Sequence, residues 1–289
     1  MKVFSWDFKN NLNINEDLIL IMGSFESIHL GHYELIKLAK SIKQQRNCKI
    51  AMMLMQSPIK KGEVASLKAF QPKVRLYTLD KLGIDYAFAV EPNQEIINLD
   101  YKKVIENLKL NNVKYIVCGE DFKFGFNRLG TIEKLRKHFD VNVASAKKVS
   151  GVKISSSLIN EFILEGNISA ANELLIDNYA FITNIEQFYF NQPKHLTKLK
   201  NGVYIVNVII ANFEYHGLVK IDNNVESEEI RKSVMYLFDL EFIPSKYQEI
   251  YIEFIAKIRQ INNESENNLT EKDIQIAKKY FVDLLNKEK

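Results

Sequence analysis

The stretch DLILIMGSFESIHLGHYELIKLAKSIKQQ, residues 17–45, runs from an apolar segment through a short polar turn into a different period. Residues 17–25 read as a short buried strand. From 30 to 45, Leu30, Leu35, Leu38 and Ile42 recur at helical spacing. The turn between them carries two of the chain's five histidines, His29 and His32, around Gly31. A helix that starts there offers free backbone N–H groups and the positive end of its dipole, and both favour an anion. Histidines just before the helix and in its first turn can face that anion together. Gly31 lets a large group approach the backbone. Neutral imidazoles can then donate hydrogen bonds to a phosphate under attack. Two histidines three apart are a weak signal alone, and half-exposed residues at a loop edge are the plain alternative. The strand-turn-helix placement is what strengthens it.

The alternation continues outward. Residues 48–55, 84–92, 113–122 and 140–149 read as strands, and 73–83, 100–112, 131–139, 155–166 and 167–177 as helices. Short apolar strands alternating with helices imply a parallel sheet covered on both faces. Ligands bind such sheets beyond the carboxyl ends of the strands. Segments 23–32 and 119–130 both fall there. From about residue 180 the texture changes. Residues 201–221 form a hairpin candidate around ANF, strands are expected within 231–242 and 247–258, and a polar gap at 262–268 precedes a helix at 270–287. The second half therefore reads as a small antiparallel β domain closed by a helix.

The 289 residues suggest two domains or one large one. Hydrophobic residues at 46% and charged residues at 26% are ordinary globular values. Lysine and arginine number 39 against 36 acids, a net charge of +3 without a concentrated basic stripe, so nucleic acid is not an expected partner. Cys48 and Cys118 lie far apart beside apolar runs, which suits buried thiols rather than a disulfide framework, and no Cys/His cluster suggests zinc. No membrane span or signal peptide is expected, and the location read from this is the cytoplasm.

The stretch GSFESIHLGH resembles the G-x-F-D-x-x-H-x-G-H signature of the HxGH nucleotidyltransferase superfamily, through Gly23, Phe25, His29, Gly31 and His32. Glu26 stands where aspartate is usual. Two later segments narrow the resemblance to the bacterial FAD synthetase/riboflavin kinase family. CGEDFKFGFNRLGT (118–131) is similar to the family loop G-x-D/N-F-x-F-G-x-x-R-x-G through Gly119, Asp121, Phe122, Phe124, Gly125, Arg128 and Gly130. Its phenylalanines offer flat apolar surfaces of the kind a flavin ring needs, and Lys123 and Arg128 supply charge for phosphates. Alternate phenylalanines filling a core are the plain alternative. GVKISSSLINEFILEGNISAANELL (151–175) is similar to the family's G-x-x-V-S-S-T-x-I-R stretch, with Ser155 and Ser156 as its serine pair and Ser157 for threonine. Serines opening a helix are also ordinary N-caps. Asn160 replaces the family arginine, for which Lys123, Arg128, Lys147, Lys148 and Lys153 are candidate substitutes. LMQSP (54–58) follows the family's F-x-P-x-P only loosely, whereas Gly83 and Asp85 follow its L-x-x-G-V-D.

The resemblance covers residues 1–180 and implies an FMN adenylyltransferase domain of doubly wound α/β fold. It implies AMP transfer from ATP to FMN, giving FAD and pyrophosphate. His29 and His32 take the catalytic role. Gly23, Phe25, Gly31 and Ser155–Ser157 contact the nucleotide, and Asp121, Phe122, Lys123, Phe124 and Arg128 the flavin and phosphates. Mg2+ accompanies ATP, held by phosphates and water, with no protein ligand assigned.

Residues 181–289 resemble the family's small riboflavin kinase β-barrel. Its G-F-P-T-A-N segment has no counterpart, since residues 176–200 contain neither glycine nor Thr-Ala-Asn, and Val234 beside Ser233 stands at the position of the catalytic glutamate. The expectation is an FAD synthase with a kinase-inactive barrel. A bifunctional enzyme with a divergent kinase site, and a non-catalytic flavin- or nucleotide-binding module, are the alternatives. A homo-oligomer is left open.

Overall fold

The computed structural model describes residues 1–56, 67–223, 233–240 and 247–287. By their contacts the described residues fall into two compact units. One is drawn from Met1–Leu67 and Arg75–Ser156, the other from Lys68–Val74 and Ser157–Lys289.

The first unit is an α/β layer structure. In chain order it contains β1 (Lys2–Ser5), β2 (Leu18–Met22), α1 (Leu30–Gln45), β3 (Lys49–Met55), most of α2 (Pro72–Lys81) and β4 (Tyr86–Val90). There follow α3 (Gln94–Ile97), α4 (Tyr101–Leu110), β5 (Val113–Gly119), the short pair β6 (Lys123–Phe124) and β7 (Gly130–Thr131), α5 (Ile132–Arg136), β8 (Asp140–Ala144) and the hairpin β9 (Lys148–Val149) and β10 (Val152–Lys153). Six strands make one parallel sheet in the order β1-β4-β3-β2-β5-β8. All five side chains of β2 are buried. Full burial of each such aliphatic group contributes roughly 1.5–3 kcal/mol, which is why an unbroken LILIM run takes the centre of the sheet. Asp85 ties the layers together: it accepts from the Ile50 N–H at 2.8 Å and from Lys43 Nζ at 2.6 Å.

The chain order reverses at β2. From there β3 and β4 build to one side and β5 and β8 to the other. Such a switch point opens a crevice at the carboxyl ends of the two central strands. Met22 pairs with Cys118, so the segments after β2 and β5 leave the sheet side by side.

Besides Lys68–Val74, the second unit contains α6 (Ser156–Glu165), apart from its first residue, and α7 (Ile168–Leu174). Strands β11 (Ala180–Glu186), β12 (Tyr189–Phe190), β13 (Gly202–Ile210), β14 (Phe213–Ile221), β15 (Ser233–Leu237) and β16 (Gln248–Gln260) form a closed barrel, ordered β11-β12-β15-β14-β13-β16. Among the described residues its strands pair antiparallel. Tyr179, Phe181, Phe190, Tyr204 and Phe254 fill its interior as a chain of tilted and edge-on rings. Helix α8 (Glu271–Lys287) closes the unit through Ala277 and Phe281, with Phe281 stacked on His216 at 4.6 Å.

The fold class is the expected one, with local differences. The edge strand β1 and the barrel strands β11 and β12 are not among the expected elements. Residues 140–149 are not one strand: β8 ends at Ala144, and β9 turns back onto β10 over Ser150 and Gly151, both at positive φ. Helix α7 packs on the barrel, because Asn172 donates to the carbonyls of Phe254 and Ile255 and accepts from the Tyr179 N–H. In the expected strand at 231–242, residues 231–232 and 241–242 lie outside the described residues, as do residues 57–58 of LMQSP.

Candidate active site

The segment between β2 and α1 is held in an unusual shape. Phe25 is fully buried and left-handed, with φ +48°. A bulky side chain rarely adopts that conformation unless its surroundings fix it. Its ring folds back under Gly23, where an added Cβ would lie 2.7 Å from the ring, so residue 23 has to be glycine for this fold-back. His29 is the N-cap of α1, and its Nδ1 accepts from the His32 N–H at 3.3 Å. An added Cβ on Gly31 would lie 3.0 Å from the His29 ring. Gly31 thus leaves room for the ring to settle over the first turn.

His29 and His32 stack face to face, with centroids 3.6 Å apart and planes at 16°. Phe25 and His32 meet in a T-shaped contact at 4.7 Å. His32 Nδ1 lies 2.8 Å from the Ser27 carbonyl, to which it donates. These bonds fix the tautomers. His29 uses Nδ1 as an acceptor and carries its proton on Nε2. His32 carries its proton on Nδ1 and keeps a lone pair on Nε2. Burial pushes the His29 pKa down to about 4, and burial together with the neighbouring His29 holds His32 well below the usual histidine range. Both rings are neutral at pH 7. That suits a hydrogen-bond donor to an anion, not a charged acid.

A stability consequence follows. The unfolded chain binds a proton at each histidine below about pH 6.5, and folded His29 does so only near pH 4. The native state therefore holds its full advantage above pH 6.5 and loses it as pH falls towards 4, by of order 3 kcal/mol for His29 alone. Urea melts at pH 7, 6, 5 and 4 should show a smaller loss in His29→Asn, which also keeps an N-cap. Parallel slopes in the two proteins would contradict this.

Ser27 links the loop to the start of α6, its Oγ lying 2.8 Å from Ser156 Oγ. Ser155 and Ser156 are half-buried, and Ser157, the next residue of α6, is exposed. Lys147 bonds Glu34 on α1 at 3.3 Å. The segment after β5 is more open. Asp121 is exposed and paired with Lys153 at 2.7 Å, and that contact outweighs the smaller, opposing effect of burial and holds its carboxyl below the usual range. Lys123 and Arg128 are exposed, Arg128 at φ +57°. Phe122 is half-buried and stacks on Phe124 at 5.8 Å, and Phe124 belongs to the core. Within the second unit, Asn160 accepts from Thr197 Oγ1.

His29, His32, Gly23, Phe25, Gly31 and Ser156 thus share one cluster. Sequence reasoning did not single out Ser27 or Arg75. Arg75, on α2, is 3% exposed and donates through Nη1 to the Phe25 carbonyl at 2.8 Å and through Nη2 to the Gln56 carbonyl at 3.2 Å. Among the described residues no group of three or more His, Cys, Asp or Glu side chains is placed to hold a metal ion, and no helix is long and apolar enough to cross a membrane.

Known proteins resemble this chain over most of its length. The FAD synthetase family profile matches residues 11–158. A protein of Buchnera aphidicola from Acyrthosiphon pisum, named bifunctional riboflavin kinase/FMN adenylyltransferase, is 30% identical over 305 residues, covering 94% of this chain and 96% of that protein. A protein of the same name from Listeria monocytogenes is 26% identical, covering 81% and 80%. A solved structure titled macrolide-efflux protein, from Streptococcus pneumoniae, superposes with a TM-score of 0.79 at 22% identity, covering 98% of this chain and 96% of that one. At that identity the likeness is one of fold.

Proposed function

Because the chain belongs to the FAD synthetase family, we propose that its FAD synthase reaction runs at the stacked histidines of the β2–α1 segment. The reaction joins AMP from ATP to FMN and releases pyrophosphate. An oxygen of the FMN phosphate attacks the α-phosphorus of ATP, a new P–O bond forms, and the bond to the β-phosphate oxygen breaks. The nucleophile is already an anion, so no general base is required. What the site supplies is proximity and stabilisation of the charge that grows on the α-phosphate.

The observation that carries this reading is the pair of buried, neutral rings at a helix N-terminus. His29 Nε2–H is a donor already in place. His32, its Nδ1–H held by the Ser27 carbonyl, stacks on His29 and keeps that donor aimed at the phosphate. The free N–H groups of α1 add to the same field. Gly23, Phe25 and Gly31 shape the loop around the nucleotide, and Ser155, Ser156 and Ser157 contact its phosphates from the start of α6. Phe122 offers the flavin a flat face backed by Phe124. Asp121, Lys123 and Arg128 serve the flavin and phosphate edges. ATP enters as its magnesium complex, in which phosphates and water hold the metal. The functional division is 1–180 for adenylyl transfer and 181–289 for the barrel, and the enzyme works in the cytoplasm.

The barrel has the family scaffold without the family's kinase residues. Ser233 is buried in β15 and Val234 follows it, where the catalytic glutamate is expected. Residues 180–186 and 189–190 of the segment lacking Thr-Ala-Asn are spent on β11 and β12.

Acceptor choice tests the proposal. Purified protein with MgATP should release pyrophosphate when FMN is added. It should not do so with pantetheine phosphate or nicotinate mononucleotide. Release with either of those, and none with FMN, would overturn it.

A further inference from the structure

We propose that Arg75 is the positioning residue of the reactive loop: its guanidinium clamps the carbonyls that follow two neighbouring strands and so fixes where Phe25 and His32 stand. This rests on the reaction proposed above and extends it to a residue outside the family motifs quoted above.

Arg75 is a cation at 3% exposure on a helix fifty residues from the loop it reaches. Burying a guanidinium is costly unless its donors are used. One donor goes to Phe25, three residues beyond the end of β2, and another to Gln56, the first residue after β3. These strands are paired in the sheet. The fork spans them, and no single-headed cation has that reach. Gln56 is held from its other side as well, its N–H donating to the Val90 carbonyl at the end of β4. The clamp therefore fastens the loop to the rigid edge of three strands.

Phe25 is where that fixing matters. Its left-handed backbone turns the ring under Gly23 and against His32. Two residues on, the Ser27 carbonyl receives His32 Nδ1–H, while the Ser27 side chain meets Ser156. A released Phe25 carbonyl would loosen all three. Arg75 Nε is buried and has no hydrogen-bond partner among the described residues, so the group is retained at a cost. Burial lowers its pKa to about 10, with the nearby Glu26 charge opposing, which leaves it charged at pH 7.

The test uses full-length Arg75→Met and Arg75→Lys at pH 7 with two readouts. One is kcat and the ATP KM for FAD formation. The other is the ring-nitrogen NMR pattern of His32, which reports its tautomer without using activity. The expected result for Arg75→Met is a kcat roughly 100-fold lower, as for a misplaced reacting group, an ATP KM within about threefold of wild type, and a His32 pattern averaged between tautomers. Arg75→Lys, reaching one carbonyl, should fall between. If Arg75→Met does not fold, Arg75→Lys is decided on the same readouts. Wild-type kcat in a folded variant would overturn the proposal, and so would an unchanged His32 pattern. If wild-type protein makes no FAD, the proposed reaction fails, and the His32 pattern alone still decides whether Arg75 positions the loop.

Discussion

Replacing His29 with alanine is expected to lower FAD formation by at least ~100-fold, the usual cost of losing one preorganised donor to a developing oxyanion. The protein should stay folded. His29 also caps α1 through Nδ1, and losing a side-chain cap costs about 1 kcal/mol, a fraction of a domain's stability. The two roles separate in His29→Asn. Asparagine is a good cap, so α1 keeps its start, but it cannot place a donor where Nε2 stands. Thermal melts should place the asparagine variant near wild type and the alanine variant slightly below, with both nearly inactive. An alanine variant that keeps activity within about threefold would remove His29 from the chemistry.

The second large effect lies in the barrel. Gly217 on β14 pairs with Leu237 on β15, and an added Cβ would sit 2.1 Å from the Tyr236 carbonyl oxygen. That atom is backbone in the same sheet, so it cannot swing away. Gly217→Ala should therefore cost at least ~3 kcal/mol, in the range kept for overpacking a fixed site. Gly119→Ala is the control. Its Cβ would meet nothing closer than Asp121 Oδ1 at 3.5 Å, and its φ is not in the left-handed region. Urea melts should show a large drop for the first and a change within about 0.5 kcal/mol for the second. Equal, small changes would mean that the β14–β15 pairing is looser than described.

Much of the first unit was legible because its signals are local. Helix α1 spans Leu30–Gln45, the residues whose apolar period marked it, and its cap is one of the two histidines that drew attention. The burial of β2 on every side chain matches its unbroken apolar run. Strand β1 gave no such signal, since none of its four side chains is fully buried and its partner β4 lies more than eighty residues away. The Ser150-Gly151 turn was a readable pair, yet the alternation of 140–149 runs across the break after Ala144.

The site divides in the same way. His29, Gly31 and His32 are contiguous, and their spacing reports their chemistry. Ser27 acquires its meaning from Ser156, 129 residues on, and Arg75 from a carbonyl fifty residues back. Neither link leaves a period or motif in the sequence. Phe124 shows the opposite limit. Its place in an aromatic triplet suggested a surface for flavin, and the fold puts it in the core behind Phe122. In the second unit, β11 lies within the segment that lacks Thr-Ala-Asn, and four of the seven residues of its run AFITNIE are buried.

The central claim is an adenylyltransferase joined to a barrel without kinase chemistry. It is tested most directly by incubating the full chain with MgATP and either FMN or riboflavin, then separating the flavins by chromatography. The account predicts FAD from FMN and no phosphorylated flavin from riboflavin. FMN or FAD appearing from riboflavin would contradict it and reveal a kinase site built from other residues. No product from FMN, in a folded protein, would contradict the adenylyl transfer itself.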